Sequence, residues 1–326
     1  MGEAAIVVDD LAKSYGAVVA LEGIGFEVAP GTVTGLLGPN GSGKTTTVAI
    51  LATALRPDSG VARVCGHDVV RDPAGVRQMI GFAGQFAAVD ANLTGRENLV
   101  LIGRLSRLGR QRARRHAVEL AERFGLSDAA DRLVRTYSGG MRRRLDIAAA
   151  LVHRPPVIFL DEPTTGLDPE SRLWLWETVR ELVAGGTTAL LTTQYLEEAD
   201  ALADQVVIID HGRIVEIGTP AALKARVGTA VVELTFTTGA DADAAESHLA
   251  RSPFAAERAG STLRVRSEHG SAAVIEILRA LDGASSAPTG VAIREATLDD
   301  VFLALTGTAT ARSAAAVPGG HARGAP

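Results

Sequence analysis

Gly38-Pro39-Asn40-Gly41-Ser42-Gly43-Lys44-Thr45 follows an apolar run, Val33 to Leu37, and precedes a stretch with apolar residues at Val48, Leu51 and Leu55. The octapeptide matches G-x-x-x-x-G-K-[ST], and a strand before it with a helix after it is the context in which that pattern cradles phosphate. Its glycines let successive backbone N–H groups curl around phosphate oxygens, and the helix N-terminus adds the positive end of its dipole. Lys44 offers a point charge to the β- and γ-phosphates and Thr45 a hydroxyl to Mg²⁺, with Thr46 beside them. Lysine is otherwise scarce: Lys13, Lys44 and Lys224 are the only lysines among 33 basic residues, so the one in this loop stands out. A compact, strongly hydrated charge is what that position needs, and arginine is not an equivalent.

Outward from this loop, the first 230 or so residues alternate short β-branched runs with longer helical stretches, which predicts an α/β domain with a largely parallel sheet. Val33 to Leu37, Val157 to Leu160, Ala189 to Thr193 and Val206 to Asp210 read as strands. The last runs through Asp210-His211-Gly212-Arg213 into Ile214 to Ile217, a hairpin in which His211 is a turn residue rather than a ligand. Arg104 to Arg123 reads as a helix, with Ala113, Ala117, Leu120, Ala121 and Phe124 on one stripe and most of its charges off it. That charged side is a solvated face or, alternatively, a docking face for a partner or lipid headgroups. Trp176, Val179 and Val183 form a core stripe on a helix from Glu170 to Ala184.

After Gly228 the pattern changes to strand, helix, hairpin, helix and strand, a β-α-β-β-α-β order that suggests a small ferredoxin-like module. It closes on Thr297-Leu298-Asp299-Asp300, a capping-box-like helix start carrying Leu298, Val301, Phe302 and Leu305 on one face. The expected division is residues 1–228, 229–307, and a disordered tail at 308–326 rich in Ala, Gly and Arg.

Composition excludes several classes. The chain has 326 residues, 33 Lys+Arg against 38 Asp+Glu, and a formal charge of −5, which argues against a general nucleic-acid binder. Cys65 is the single cysteine, so there is neither an internal disulfide nor a cysteine-rich metal site, as fits a reducing cytosol. No apolar run approaches the roughly 18 residues of a spanning helix. The start, MGEAAIVVDD, has no basic or apolar leader pattern and has Ile6 where a myristoylation signal wants Ser or Thr, so the chain is expected to stay where it is made.

The phosphate loop alone leaves kinases, GTPases, motors and transport ATPases open. Val157-Ile158-Phe159-Leu160-Asp161-Glu162 narrows the choice: an apolar strand ends in two acids, which are costly there without a cation or donors. Asp161 is placed to hold Mg²⁺ and Glu162 to orient and deprotonate an attacking water, the step a hydrolase needs. Tyr137-Ser138-Gly139-Gly140-Met141 opens a helix upstream, with Ser138 as a good N-cap.

The order of phosphate loop, S-G-G at a helix start, and an apolar strand ending in D-E resembles the ABC-type ATPases. The resemblance implies a P-loop cassette with a helical subdomain, here followed by a small α+β domain. It also implies that Ser138, Gly139 and Gly140 of one subunit cap the γ-phosphate of ATP held by the other, two ATP being sandwiched in a head-to-tail homodimer. Met141 replaces the family's usual Gln, a mild departure. Tyr15 falls where the family stacks an aromatic on adenine, Gln85 in the loop that touches Mg²⁺ or the attacking water, and Asp168 in the loop that reaches across the dimer. Gln194 stands where the family norm is His; it can donate an amide N–H to the γ-phosphate but cannot carry a proton, which implies either impaired hydrolysis or a neutral phosphate sensor with Glu162 remaining the base.

Thr192 to Asp200, T-T-Q-Y-L-E-E-A-D, and Thr297 to Gly307, T-L-D-D-V-F-L-A-L-T-G, resemble the daunorubicin-resistance ATP-binding group of that family. This implies the ATP-hydrolysing half of an exporter of hydrophobic small molecules or antibiotics, peripheral on the cytoplasmic face of the cell membrane. Its expected partner is a separate ABC-2 type permease, with no nucleic acid. The alternative is a non-transport ABC ATPase acting on nucleic acid or ribosomes. The single cassette, lone cysteine and acidic balance speak against that reading.

Overall fold

A computed structural model describes residues 3–84, 89–226, 230–267, 271–281, 287–295 and 297–305. The chain divides into two units at Gly218/Thr219. The expected boundary at 228/229 and the tail at 308–326 lie outside the described residues.

In the first unit two sheets flank a shared core. β1 (Ile6–Tyr15), β2 (Val18–Val28), β4 (Ser59–Val64) and β5 (His67–Asp68) form an antiparallel sheet in the order β2-β1-β4-β5. The second sheet has the order β10-β9-β3-β8-β7-β6, built from β3 (Val33–Leu37), β6 (Ile80–Ala83), β7 (Val157–Asp161), β8 (Thr188–Thr193), β9 (Gln205–Asp210) and β10 (Arg213–Gly218). Its pairs are parallel except β9 with β10. Val157 and Phe159 of β7 face a core shared with the antiparallel sheet and α1 (Lys44–Leu51), whereas Ile158 and Leu160 face the helices. A strand buried on both faces reads as continuous apolar sequence, and β7 does.

The remaining helices of this unit are α2 (Pro73–Met79), α3 (Gly95–Leu105), α4 (Arg110–Arg123), α5 (Gly139–Ala150), α6 (Pro169–Ala184) and α7 (Leu196–Leu202). The structure departs from the sequence reading in two places. The N-terminal antiparallel sheet was not foreseen, because β1 carries polar residues through its middle and its pairing with β2 shifts register repeatedly. The single helix expected from Arg104 to Arg123 is two, since Arg107 adopts φ 63° and Gly109 starts α4 afresh. The expected stripe survives, with Ala113, Ala117, Ala121 and Phe124 all buried. Trp176 is in the core as expected.

The β9–β10 hairpin turns at His211 and Gly212, with φ 46° and 75°, the double-positive geometry of a tight two-residue turn. Its tip reaches two elements of the first unit. The Gly212 N–H donates to the Ser42 carbonyl at 3.0 Å, the Gly212 carbonyl accepts from Glu22 N at 2.8 Å, and Arg213 pairs with the Glu22 carboxylate.

The second unit begins with α8 (Pro220–Arg226), followed by β11 (Ala230–Thr235), α9 (Gly239–Leu249), β12 (Ala256–Ala259), β13 (Thr262–Ser267), α10 (Ser271–Ala280) and β14 (Gly290–Glu295). Its antiparallel sheet has the order β12-β13-β11-β14, the ferredoxin-like arrangement, and its core joins Val232, Leu234 and Val265 to α9 and α10. A helix over 298–305, α11, follows.

Arg294 grips Asp300 at the start of α11, with Nη1 donating to Oδ2 at 2.6 Å and Nη2 to Oδ1 at 2.9 Å. The Thr297 N–H and hydroxyl each donate to Oδ2 at 2.9 Å. Burial alone would raise this carboxyl's pKa, but the bonds from Arg294 and Thr297 outweigh it and hold it at about 2. A carboxyl depressed on folding contributes stability above its unfolded pKa and loses it as pH falls through the folded value. Asp300→Asn should therefore destabilise the second unit by about 2 kcal/mol at neutral pH and remove most of its loss of stability from roughly pH 4 to pH 2. Urea unfolding followed across that range checks both outcomes.

Candidate nucleotide-binding site

The loop from Gly38 to Gly43 leaves the C-terminal end of β3 and delivers the chain into α1. Gly38 is required by close approach, because a Cβ there would lie 2.1 Å from the Ile209 carbonyl oxygen. Gly43 adopts φ 110°, and a Cβ on it would meet the Ala20 carbonyl at 2.6 Å. No side chain caps α1 and its first turn holds no acid, so the protein leaves the positive end of this dipole uncompensated. Ser42 Oγ is buried here with no hydrogen-bond partner among the described residues. A cavity of about 240 Å³ lies over the loop, lined by Asn40, Gly41, Gly43, Lys44, Thr45 and Thr46 together with Ala20 and Glu162.

Lys44 is 3% exposed. Its Nζ donates to the Gly38 and Pro39 carbonyls at 2.8 and 3.0 Å and lies 3.8 Å from Glu162 Oε1. Burial lowers its pKa from the usual lysine value, opposed by the charges of Glu162 and Asp161. Thr45 Oγ1 is 3.3 Å from Asp161 Oδ1, which brings the loop hydroxyl and the strand-end carboxylate together as the sequence anticipates.

Glu162 has φ 46°, in the left-handed region that a non-glycine residue enters at a cost. Thr192 holds it there. The Glu162 N–H donates to Thr192 Oγ1 at 2.9 Å and to the Thr192 carbonyl at 3.1 Å, while the Thr192 hydroxyl donates to Asp161 Oδ1 at 2.5 Å. One side chain thus fixes both acids, and the turn aims Glu162 over the loop instead of along the strand. Gln194 follows Thr193, which pairs with Leu37 at the end of β3, so the half-buried glutamine stands beside the start of the phosphate loop.

Ser138, Gly139, Asp168 and Tyr15 are not among the groups that line this cavity. Ser138 N-caps α5, accepting from Met141 N at 3.2 Å, and both Ser138 and Gly139 are exposed. Gly140 packs against the start of α6, where a Cβ would meet Ser171 Oγ at 2.9 Å. Asp168 caps α6, accepting from Ser171 N and Oγ at 2.9 and 2.8 Å, bonds that lower its pKa. Tyr15 is 51% exposed at the end of β1, opposite Val18, with Lys13 Nζ 5.9 Å from its ring centroid. Gln85 lies outside the described residues.

These residues fit a triphosphate with a hard divalent cation. The donors are backbone N–H groups and an ammonium, the buried Ser42 hydroxyl is unpartnered, and the oxygen pair of Thr45 and Asp161 suits Mg²⁺. Sequence reading missed Thr192 as the clamp on the acids and Ala20 as part of the cavity wall. Ala20 carries no local signal, since its place arises from tertiary approach.

The sequence profile of the ABC transporter family matches residues 21–165. The chain is 50% identical over 307 residues to the daunorubicin resistance ATP-binding protein DrrA3 of Streptomyces coeruleorubidus, covering 94% of this chain and 97% of that one. It is 48% identical over 320 residues to the daunorubicin/doxorubicin resistance ATP-binding protein DrrA of Streptomyces peucetius, covering 93% and 92%. Among solved structures it is similar to an ATP-binding subunit of an ABC transporter, with a TM-score of 0.63 and 29% identity over 68% of this chain and 92% of that one.

Lys44→Ala would leave the loop without its buried charge. We expect ATP affinity to fall at least about tenfold, as loss of a charge-assisted phosphate contact implies, and calorimetric titration of the variant with ATP measures it.

Proposed function

The chain belongs to the daunorubicin-resistance group of ABC transporter ATP-binding proteins, and from that premise we propose that it powers efflux of a hydrophobic small molecule or antibiotic through a separate ABC-2 type permease. The observation that carries the catalytic part is the placement of Glu162 on the wall of the phosphate-loop cavity, 3.8 Å from Lys44 and locked by Thr192.

In this reading Gly38, Pro39, Asn40, Gly41, Ser42, Gly43, Lys44, Thr45 and Thr46 hold the phosphates of ATP, and the ring of Tyr15 takes the adenine. Thr45, Asp161 and Gln85 would hold Mg²⁺, which when bound neutralises charge on the β- and γ-phosphates. Glu162 orients the water that attacks the γ-phosphate and takes its proton. Gln194 donates its amide N–H to a γ-phosphate oxygen and stays neutral throughout.

The exposed start of α5 supports a second part of the proposal. Ser138 and Gly139 are exposed at the helix N-terminus, Gly140 follows them, and none of the three lines their own chain's cavity. They cap the γ-phosphate held by a second copy in a head-to-tail dimer, with Asp168 reaching across the same junction. No helix among the described residues is long and apolar enough to cross a membrane. In the proposed assembly the permease carries the pathway, and this subunit sits peripherally on the cytoplasmic face.

Glu162→Gln should leave ATP binding intact and lower turnover by roughly 10²- to 10⁴-fold, the usual worth of a general base. Phosphate release set against ATP titration separates the two effects, and normal turnover would remove Glu162 from the mechanism. Gln194→Ala should lower turnover while leaving protein stability within about 0.5 kcal/mol, as for other half-buried polar positions; an unchanged rate in the same assay denies it a phosphate contact.

A further inference from the structure

Arg143 lies on α5, one turn from the S-G-G start, with its side chain only 12% exposed. A desolvated guanidinium is costly unless its donors are used. Here Nε and Nη1 reach three different parts of the molecule, while the buried Nη2 has no hydrogen-bond partner among the described residues. Nε donates to the Pro163 carbonyl at 3.0 Å, and Nη1 donates to the Gly84 carbonyl at 2.6 Å and to Asp146 Oδ2 at 3.2 Å. Asp146, on the same helix and fully buried, neutralises the charge locally, so the two carbonyl contacts are not needed to pair it.

Those carbonyls belong to informative places. Pro163 follows Glu162 directly, and Gly84 is the residue after β6, whose last member, Ala83, pairs with Leu160 of β7. Gly84 therefore lies beside Asp161, the last residue of β7. One planar cation spans the exits of two neighbouring strands from a third element, the helix that begins with S-G-G. Burial lowers its pKa, while Asp146, Asp161 and Glu198 raise it, which puts the guanidinium in the field of the strand-end acid.

We propose that Arg143 is a positioning residue for hydrolysis, tying the S-G-G helix to the backbone beside Glu162 so that the carboxylate keeps its aim on the attacking water. This rests on Glu162 being the base. A guanidinium offers two donors fixed in one plane, which a lysine ammonium on a flexible stem does not reproduce. Displacement of a catalytic group by about 1 Å is worth roughly 10²-fold in rate, whereas the phosphate loop, which Arg143 does not touch, would bind ATP as before.

The test uses the full chain with Mg²⁺ and ATP. Arg143→Lys, Arg143→Met and Glu162→Gln are compared singly and in combination, by ATP titration and by phosphate release. The expected result is a loss of turnover of roughly 10- to 100-fold in Arg143→Met, and a smaller one in Arg143→Lys, with ATP affinity within about threefold of the parent. Added to Glu162→Gln, neither change should lower the residual rate further, because a residue acting through Glu162 has nothing left to position. Unchanged turnover in Arg143→Met overturns the proposal. So does a loss that persists in full on top of Glu162→Gln, or an ATP affinity that weakens in step with turnover, as general damage to the fold would produce. Arg143→Lys keeps a cation beside Asp146, so it carries the same comparison if Arg143→Met does not fold. Normal turnover in Glu162→Gln alone marks failure of the base assignment, which is distinct from an additive loss at Arg143.

Discussion

The Thr192 hydroxyl is the constraint on which the site turns. It accepts from the backbone of Glu162 and donates to the side chain of Asp161. Without it, Asp161 would lose a hydrogen-bond donor, and Glu162 would be held in the left-handed region only by its backbone bond to the Thr192 carbonyl. The arrangement depends in turn on sheet order. β8 lies between β3 and β7, so the strand that supplies Thr192 is flanked on one side by the phosphate loop and on the other by the acids. Three segments far apart in sequence converge because parallel strands end at the same edge, the general reason that ligands bind beyond the carboxyl ends of such sheets.

Much of this was legible from the residues. The phosphate loop, the D-E strand and the S-G-G helix start each combine a fixed backbone demand with a fixed chemistry, so their types and spacing identify them. The strands of the central sheet were equally plain, since burial on both faces leaves unbroken apolar runs such as Val157 to Leu160. What escaped was set by tertiary contact. β1 mixes Asp9, Asp10 and Lys13 into a strand whose apolar face shows only every second or third residue. The break between α3 and α4 rests on one left-handed arginine, Arg107, that no helix propensity announces. Arg143 is one of three successive arginines, and nothing in the run distinguishes the buried one from its neighbours.

The site residues thus fall into two sets by location. Lys44, Thr45 and Glu162 line one cavity, Asp161 lies against Thr45, and Gln194 stands at the same sheet edge. Ser138 and Asp168 instead cap the starts of α5 and α6, which touch through Gly140 and Ser171. Asp168 accepts from the helix that it begins, and so does the Ser138 hydroxyl, which keeps its own proton free to donate.

The tip of the β9–β10 hairpin links the phosphate loop to β2 through the backbone of Gly212, one hydrogen bond in each direction, beside the Arg213–Glu22 ion pair. β2 is the strand paired with the end of β1 that carries Tyr15. With Tyr15 taking the adenine as proposed, the two ends of the binding surface, aromatic and ionic, are spanned by a gauge made of main-chain atoms. Such a gauge is indifferent to the side chains around it. The surface can be recoloured by substitution, in charge or in bulk, while the length of molecule it measures stays the same.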